Sequence, residues 1–151
     1  MLFRIPIFFL LIIGLTLAYP AVAEEHGDDV IGSIATLEGE AIVIRGDEEI
    51  QAEVGTRIHG SDVVRTEKES SLGIVFKDDT TVSLGEKSEL GMKEFDFRPS
   101  EGAFSMVLNM VKGTFVYVSG RIAKLSPESV EVETPVGVVA VRGTRFLAKI
   151  P

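Results

Sequence analysis

Past residue 30 the chain is written in short runs of alternating apolar and polar residues, cut at frequent intervals by glycine and acidic turn residues. Such alternation turns successive side chains to opposite faces of the backbone, so each run predicts a β-strand with one face buried. Ile34–Leu37 and Ala41–Ile44 fit two strands, separated at Gly39 and closed by the turn Arg45-Gly46-Asp47. In the centre Leu72, Ile74 and Phe76 alternate, Asp78-Asp79 makes a turn, and Thr80, Val82 and Leu84 resume the period, which predicts a hairpin or a solenoid corner. Leu90, Met92 and Phe95 form a further set. Phe104, Met106, Leu108 and Met110 keep period two up to Gly113, and Phe115–Val118 continue in β-forming residues. Ala103, Phe104, Val107, Leu108 and Val111 also fit one face of a helix, but the bracketing Gly102 and Gly113 favour the strand.

Helix is predicted only at Ile122–Ser126, a single turn of helix formers stopped by Pro127. Val130, Val132 and Thr134 then alternate with Glu131 and Glu133, placing acids on one face. From Val136 to Arg142 both alternating sets are largely apolar, so this strand is expected to be the most buried, with Arg142 in or beside the core. The fold class predicted is all-β, a single compact domain of short strands.

The ends change the picture in one respect. Met1 to Arg4 carry one positive charge, an apolar run follows from Ile5 to Leu17, and Ala21-Val22-Ala23 precedes Glu24. That is the pattern of a secretory signal peptide over residues 1–23. The run is shorter than the roughly twenty apolar residues needed to span a bilayer, so no membrane span is expected after cleavage. Residues 24–29 read as a flexible acidic start and 30–151 as the domain. The expected location is periplasmic or secreted. The formal charge of −8 argues against nucleic acid, whose binding rests on clustered Lys and Arg. With no cysteine, disulfides, thiolate catalysis and thiolate metal sites drop out.

Several stretches resemble one known family. Thr134–Phe146 reads T-P-V-G-V-V-A-V-R-G-T-R-F, similar to the signature of FecR domains, T-P, six residues, then R-G-T-x-F. Gly32–Ala41, Val54–Thr66, Ile74–Gly85 and Lys112–Lys124 agree in order, so the likeness spans nearly all of 30–148. The residues that carry it are Thr134, Pro135, Arg142, Gly143, Thr144 and Phe146, with Gly60, Asp62 and Thr66 upstream. Their chemistry points to fold-holding roles. At Gly60-Ser61-Asp62 a glycine able to take positive φ and an Asp able to bind backbone N–H make a turn. The five donors of Arg142 can tie carbonyls or a carboxylate, and Gly143 can admit another backbone.

The resemblance implies an all-β domain of β-helix or sandwich character in the periplasm. In the best-known members it is the outer half of a transmembrane anti-sigma regulator responding to an iron-siderophore receptor. Only four residues precede the apolar run and the sequence ends at Pro151, so sigma-factor control is not expected to carry over.

No catalytic or metal motif stands out: His26 and His59 lack metal-site spacing, and no nucleophile elbow or phosphate loop is present. Asp28-Asp29 and Asp78-Asp79 read as solvated turn acids, and Arg45-Gly46-Asp47 as a turn rather than an adhesion motif. Of the aromatic residues, Phe95 and Tyr117 are expected inside and Phe97 exposed. The sequence thus predicts a non-enzymatic module without cofactor, which binds an envelope protein or a second copy through a C-terminal strand edge at Phe146–Pro151. A carbohydrate- or peptidoglycan-binding β module is the alternative.

Overall fold

The alternating runs all become strands. The computed structural model describes residues 29–143 and 145–151; the signal-peptide reading of 1–23, the acidic start up to Asp28 with His26, and Thr144 lie outside them. The strands are β1 (Val30–Glu38), β2 (Ala41–Arg45), β3 (Glu48–Gln51), β4 (Arg57–His59), β5 (Val63–Thr66), β6 (Ser71–Phe76), β7 (Thr81–Leu84), β8 (Glu89–Arg98), β9 (Ala103–Val118), β10 (Val130–Thr134), β11 (Gly137–Ala140) and β12 (Arg145–Ile150), with the short helix α1 (Arg121–Leu125). The all-β class holds, and β6–β7 is the hairpin its period predicts. The stretch open to a helical reading is the longest strand, β9.

All twelve strands belong to one curled sheet. One wing runs β3-β2-β5-β8 and the other β4-β1-β6-β7, and both end on β9. The first half of β9 pairs with β8 and the second with β7, both antiparallel. The wings face each other: Phe76 of β6 stacks on Phe95 of β8, ring centroids 5.8 Å apart, and one apolar cluster draws on both. Beyond β9, β10 lies parallel to Met106–Asn109 and β12 antiparallel to Gly113–Val118. A parallel neighbour needs a crossover, and the segment carrying α1 and the 3-10 turn Pro127–Ser129 supplies it.

For β9 to serve both wings, its inward face must change partway. Met106, Leu108 and Met110 point inward in the first half, Phe115 and Tyr117 in the second, so even positions give way to odd ones. A strand with strict period two cannot do this; one extra residue is required. The ladder to β8 slips there, with Leu90 opposite Met110 and Glu89 opposite Lys112, and Gly113 takes φ +104°. A Cβ on Gly113 would lie 2.4 Å from Ser88 Cα, while Ser88 Oγ accepts from Thr114 N–H at 3.0 Å. Glycine is needed here for both conformation and space.

The corners share one device. Ser61, Glu69, Asp79 and Lys87 are the non-glycine residues at positive φ among the described residues, and each is followed by a buried polar residue: Asp62, Ser70, Thr80 and Ser88. The left-handed conformation costs such a residue about 1–2 kcal/mol. A buried hydrogen bond returns about 1 kcal/mol, and each of these side chains makes at least two. The bonds therefore balance or exceed the strain. At Gly60-Ser61-Asp62 the positive φ (67°) belongs to Ser61 rather than to Gly60, because Asp62 holds the turn by accepting from His59 N–H at 2.8 Å.

The strand Val136–Arg142 corrects the sequence reading. Its regular part, β11, is exposed at every residue, with Val138 58% exposed, and Arg142 is exposed as well. β11 pairs with β10 and with nothing on its other side among the described residues, so its apolar residues lie at the rim, not the centre. Only Val141 is buried there.

Gly113→Ala should destabilise the chain by about 2–4 kcal/mol, from positive φ and from overpacking against Ser88. A urea midpoint that does not move would show that the bend of β9 does not need glycine.

Candidate interaction site

The side of β9 that carries β10, β11 and β12 also carries a cleft. Its volume is about 850 Å³. One wall is Ala123 and Lys124 of α1 with Pro127 and Glu128; the other is the link Ala140–Gly143. Val130, Glu131 and Ser119 complete it. Apolar surface thus alternates with Lys124 and Arg142 on one hand and Glu128 and Glu131 on the other. Glu128 accepts from Ser126 Oγ at 2.8 Å, and its own backbone N–H together with Ser126 holds its carboxyl below the ordinary range.

A buried carboxylate positions the α1 wall. Asp78 is fully buried, which corrects its reading as a solvated turn acid. Its Oδ1 accepts from Thr80 N–H at 3.1 Å, and Oδ2 from Thr80 Oγ at 2.7 Å and from Ile122 N–H at 3.2 Å. Its backbone carbonyl accepts from Arg121 N–H at 2.7 Å, and Thr80 Oγ accepts from Gly120 N–H at 3.2 Å. The first N–H groups of a helix have no partner within it; here the β6–β7 turn supplies one from across the fold. Gly120 must be glycine, since a Cβ would sit 2.2 Å from Thr80 N. Asp79, by contrast, is exposed.

The other wall is tied through Ser119, whose Oγ donates to Gly143 O at 2.5 Å. Phe146 then stacks on Tyr117 with centroids 4.9 Å apart, fixing β12 to the second half of β9. Tyr117 is fully buried and its Oη has no hydrogen-bond partner among the described residues. Burial pushes its phenol up, opposed by the nearby Ser119 and Thr80 hydroxyls.

The sequence-derived residues fall into two groups that no hydrogen bond joins among the described residues. Asp62 and Thr66 brace β5. Arg45 donates to Asp62 through Nε at 2.9 Å and Nη2 at 2.8 Å, and this bond raises its pKa above the ordinary range. Arg45 of the Arg-Gly-Asp turn is therefore engaged within the fold. Thr66 Oγ donates to Gly85 O at 2.6 Å and accepts from Ser88 N–H at 2.9 Å. Gly60 packs against Asp29, whose carboxylate would lie 2.7 Å from an added Cβ.

Thr134, Pro135, Arg142, Gly143 and Phe146 all lie on the cleft side. Thr134 Oγ donates to Gly137 O at 2.8 Å and closes the β10–β11 hairpin around Pro135 and Val136. Arg142 lines the cleft instead of the core, and among the described residues nothing lies within 4 Å of a Cβ on Gly143, so no described backbone packs against that side of it. Phe97 is half-buried rather than exposed, under the Arg121 guanidinium at 4.9 Å from its ring centre. Asp78, Thr80, Ser119 and Gly120 were not legible as site-forming residues. The Asp-x-Thr spacing, in which a carboxylate reaches the N–H two residues on, was the available signal.

Two strand edges open from this side. Among the described residues β12 pairs only with β9, and β11 only with β10. Leu147 on β12 is 69% exposed and Val136 in the hairpin 96%. No described helix is long and apolar enough to cross a membrane, and no described group of three or more His, Asp or Glu could hold a metal.

Fold and site together define a class: a small all-β module with a cleft and two open strand edges on one side of its longest strand. The family is given by comparison. A family model described as FecR protein matches residues 62–150, more than half of the chain, and the chain belongs to that family. FecR domains are envelope-associated modules connected with signalling. The match begins at Asp62, so β1–β4 precede it, although β1 pairs with β6 and β2 with β5 in the same sheet. No curated protein and no solved structure matches the chain.

Asp78→Ala should cost about 2–3 kcal/mol, because it leaves buried N–H groups at Thr80 and Ile122 without their acceptor; amide exchange at Ile122 should accelerate. Unchanged exchange would mean that α1 is held by other contacts. Tyr117→Phe should be neutral or slightly stabilising at neutral pH. Because the folded phenol titrates above its unfolded value near 10, its contribution is complete below that pH and is lost as pH rises through the folded value. The variant should lose part of the alkaline fall in stability, and identical alkaline melts for both proteins would contradict this.

Proposed function

We propose that this chain is a non-enzymatic periplasmic or secreted FecR module that binds an envelope protein by pairing a partner strand to the outer edge of β12. The observation that supports it most directly is that edge: among the described residues no strand pairs with the outer side of β12, where Leu147 is exposed. Free N–H and C=O groups along an edge give a partner strand a ready ladder, and neighbouring side chains select it. The opposite side of β12 is secured by its six-residue register with β9 and by the Phe146–Tyr117 stack, so the edge is presented on a rigid support. Rigid presentation lowers the entropy cost of binding.

A photo-crosslinker at Leu147, introduced into the full chain and activated in the host envelope, should capture one defined protein. Leu147→Lys, a charge on the exposed face of an edge strand, should weaken that capture roughly tenfold without changing the circular dichroism. Recovery of the chain in the cytosol, or capture that Leu147→Lys does not alter, would sink the proposal.

A further inference from the structure

The second edge, β11, has a different character from β12. Between Pro135 and Val141 there is no charged residue. The register Glu131↔Ala140, Val132↔Val139, Glu133↔Val138 assigns its faces, because directly opposed residues of an antiparallel pair share a face. Val138 and Ala140 stand on the solvent face beside the two glutamates. Val139 stands on the inner face beside the buried Val132, yet is 45% exposed, since among the described residues no strand pairs with the outer side of β11. A flat, neutral, valine-rich edge without a gatekeeping charge is what soluble proteins ordinarily avoid. Here it occupies part of the segment that carries the family signature.

We infer that β11 is a self-association edge, which pairs antiparallel with β11 of a second copy across a two-fold axis at Val138. A two-residue turn closes on a hydrogen-bonded pair, here Thr134–Gly137, so Val138 and Ala140 aim their N–H and C=O groups outward. Two such edges match when Val138 faces Val138 of the second copy and Ala140 faces its Val136. The inner face, left open at Val139, is then continued by Gly137 and Val139 of the other chain.

Charge selects a second copy as the occupant. An acidic chain meeting itself ordinarily repels, but Glu131 and Glu133 lie one strand back from the edge, and Glu133 is already paired with Lys93. In the four-stranded arrangement the two copies of β10 are three strand spacings apart, about 14 Å, beyond a screening length of about 8 Å. The antiparallel sense also brings Arg142 of each chain to the turn end of the other's hairpin, where Thr134 and Glu133 lie. The pairing is isologous and closes at two chains.

The absence of cysteine makes the test direct. In the full chain, Val138→Cys should form a homodisulfide under mild oxidation, since opposed strand residues lie within disulfide reach. Val54→Cys, at a similarly exposed valine outside the edge, should not. Sedimentation should show a concentration-dependent dimer whose dissociation constant rises at least roughly tenfold in Val138→Lys and is unmoved in Leu147→Lys. A monomer at every concentration, Val138→Cys crosslinking no faster than Val54→Cys, or dimers that survive Val138→Lys would overturn the inference. Because Leu147→Lys reports on the β12 edge alone, failure here is distinguishable from failure of partner capture at β12.

Discussion

The one-residue slip in β9 is the constraint on which the rest of the fold rests. A strand shared by two facing wings must point its apolar side chains at the common core along its whole length. Curling the sheet reverses which positions do so. Val111–Gly113 absorb that reversal with an extra residue and a left-handed glycine. Without it, Phe115 and Tyr117, among the largest buried side chains, would turn outward, and the cost at about 1.5–3 kcal/mol for each buried side chain would approach the stability of a small domain. The site inherits this geometry, because β10 and β12 take their positions from the two halves of β9.

A second layer of control is polar. In a chain without disulfides, corners are held by buried side chains that bond to distant backbone. Asp62, Ser70, Thr80 and Ser88 each follow a residue in the left-handed conformation, and Asp78 reaches 44 residues along the chain to Ile122. These groups act as an interior framework for the loops, so the cleft walls at α1 and at Gly143 are defined by hydrogen bonds instead of by helix propensity, which five residues could not supply.

Much of this was legible from pattern alone. The β6–β7 hairpin was readable because Leu72, Ile74 and Phe76 alternate up to an acidic turn, and β10 because Glu131 and Glu133 separate two valines. α1 was readable from Pro127. The errors have physical causes. β11 reads as central in the sequence because valines occupy both of its faces, but periodicity reports what a face could bury, not whether a neighbour exists to cover it. Arg142 followed that mistake outward. Asp78 looked like a solvated acid because its partners, Gly120, Arg121 and Ile122, become neighbours only through tertiary folding. The family signature was readable as sequence, while its placement at a rim and a cleft wall was not.

The order of strands along β9 also governs how the chain can be made. β7 and β8 precede β9 in synthesis, so one side of the long strand finds its partners at once. The other side waits for β10 and β12, one of them parallel and reached only after a crossover. Pairings of that kind form slowly, because loop closure must come before they contribute. During that interval the backbone of β9 is an open acceptor, and β12 is the piece that closes it.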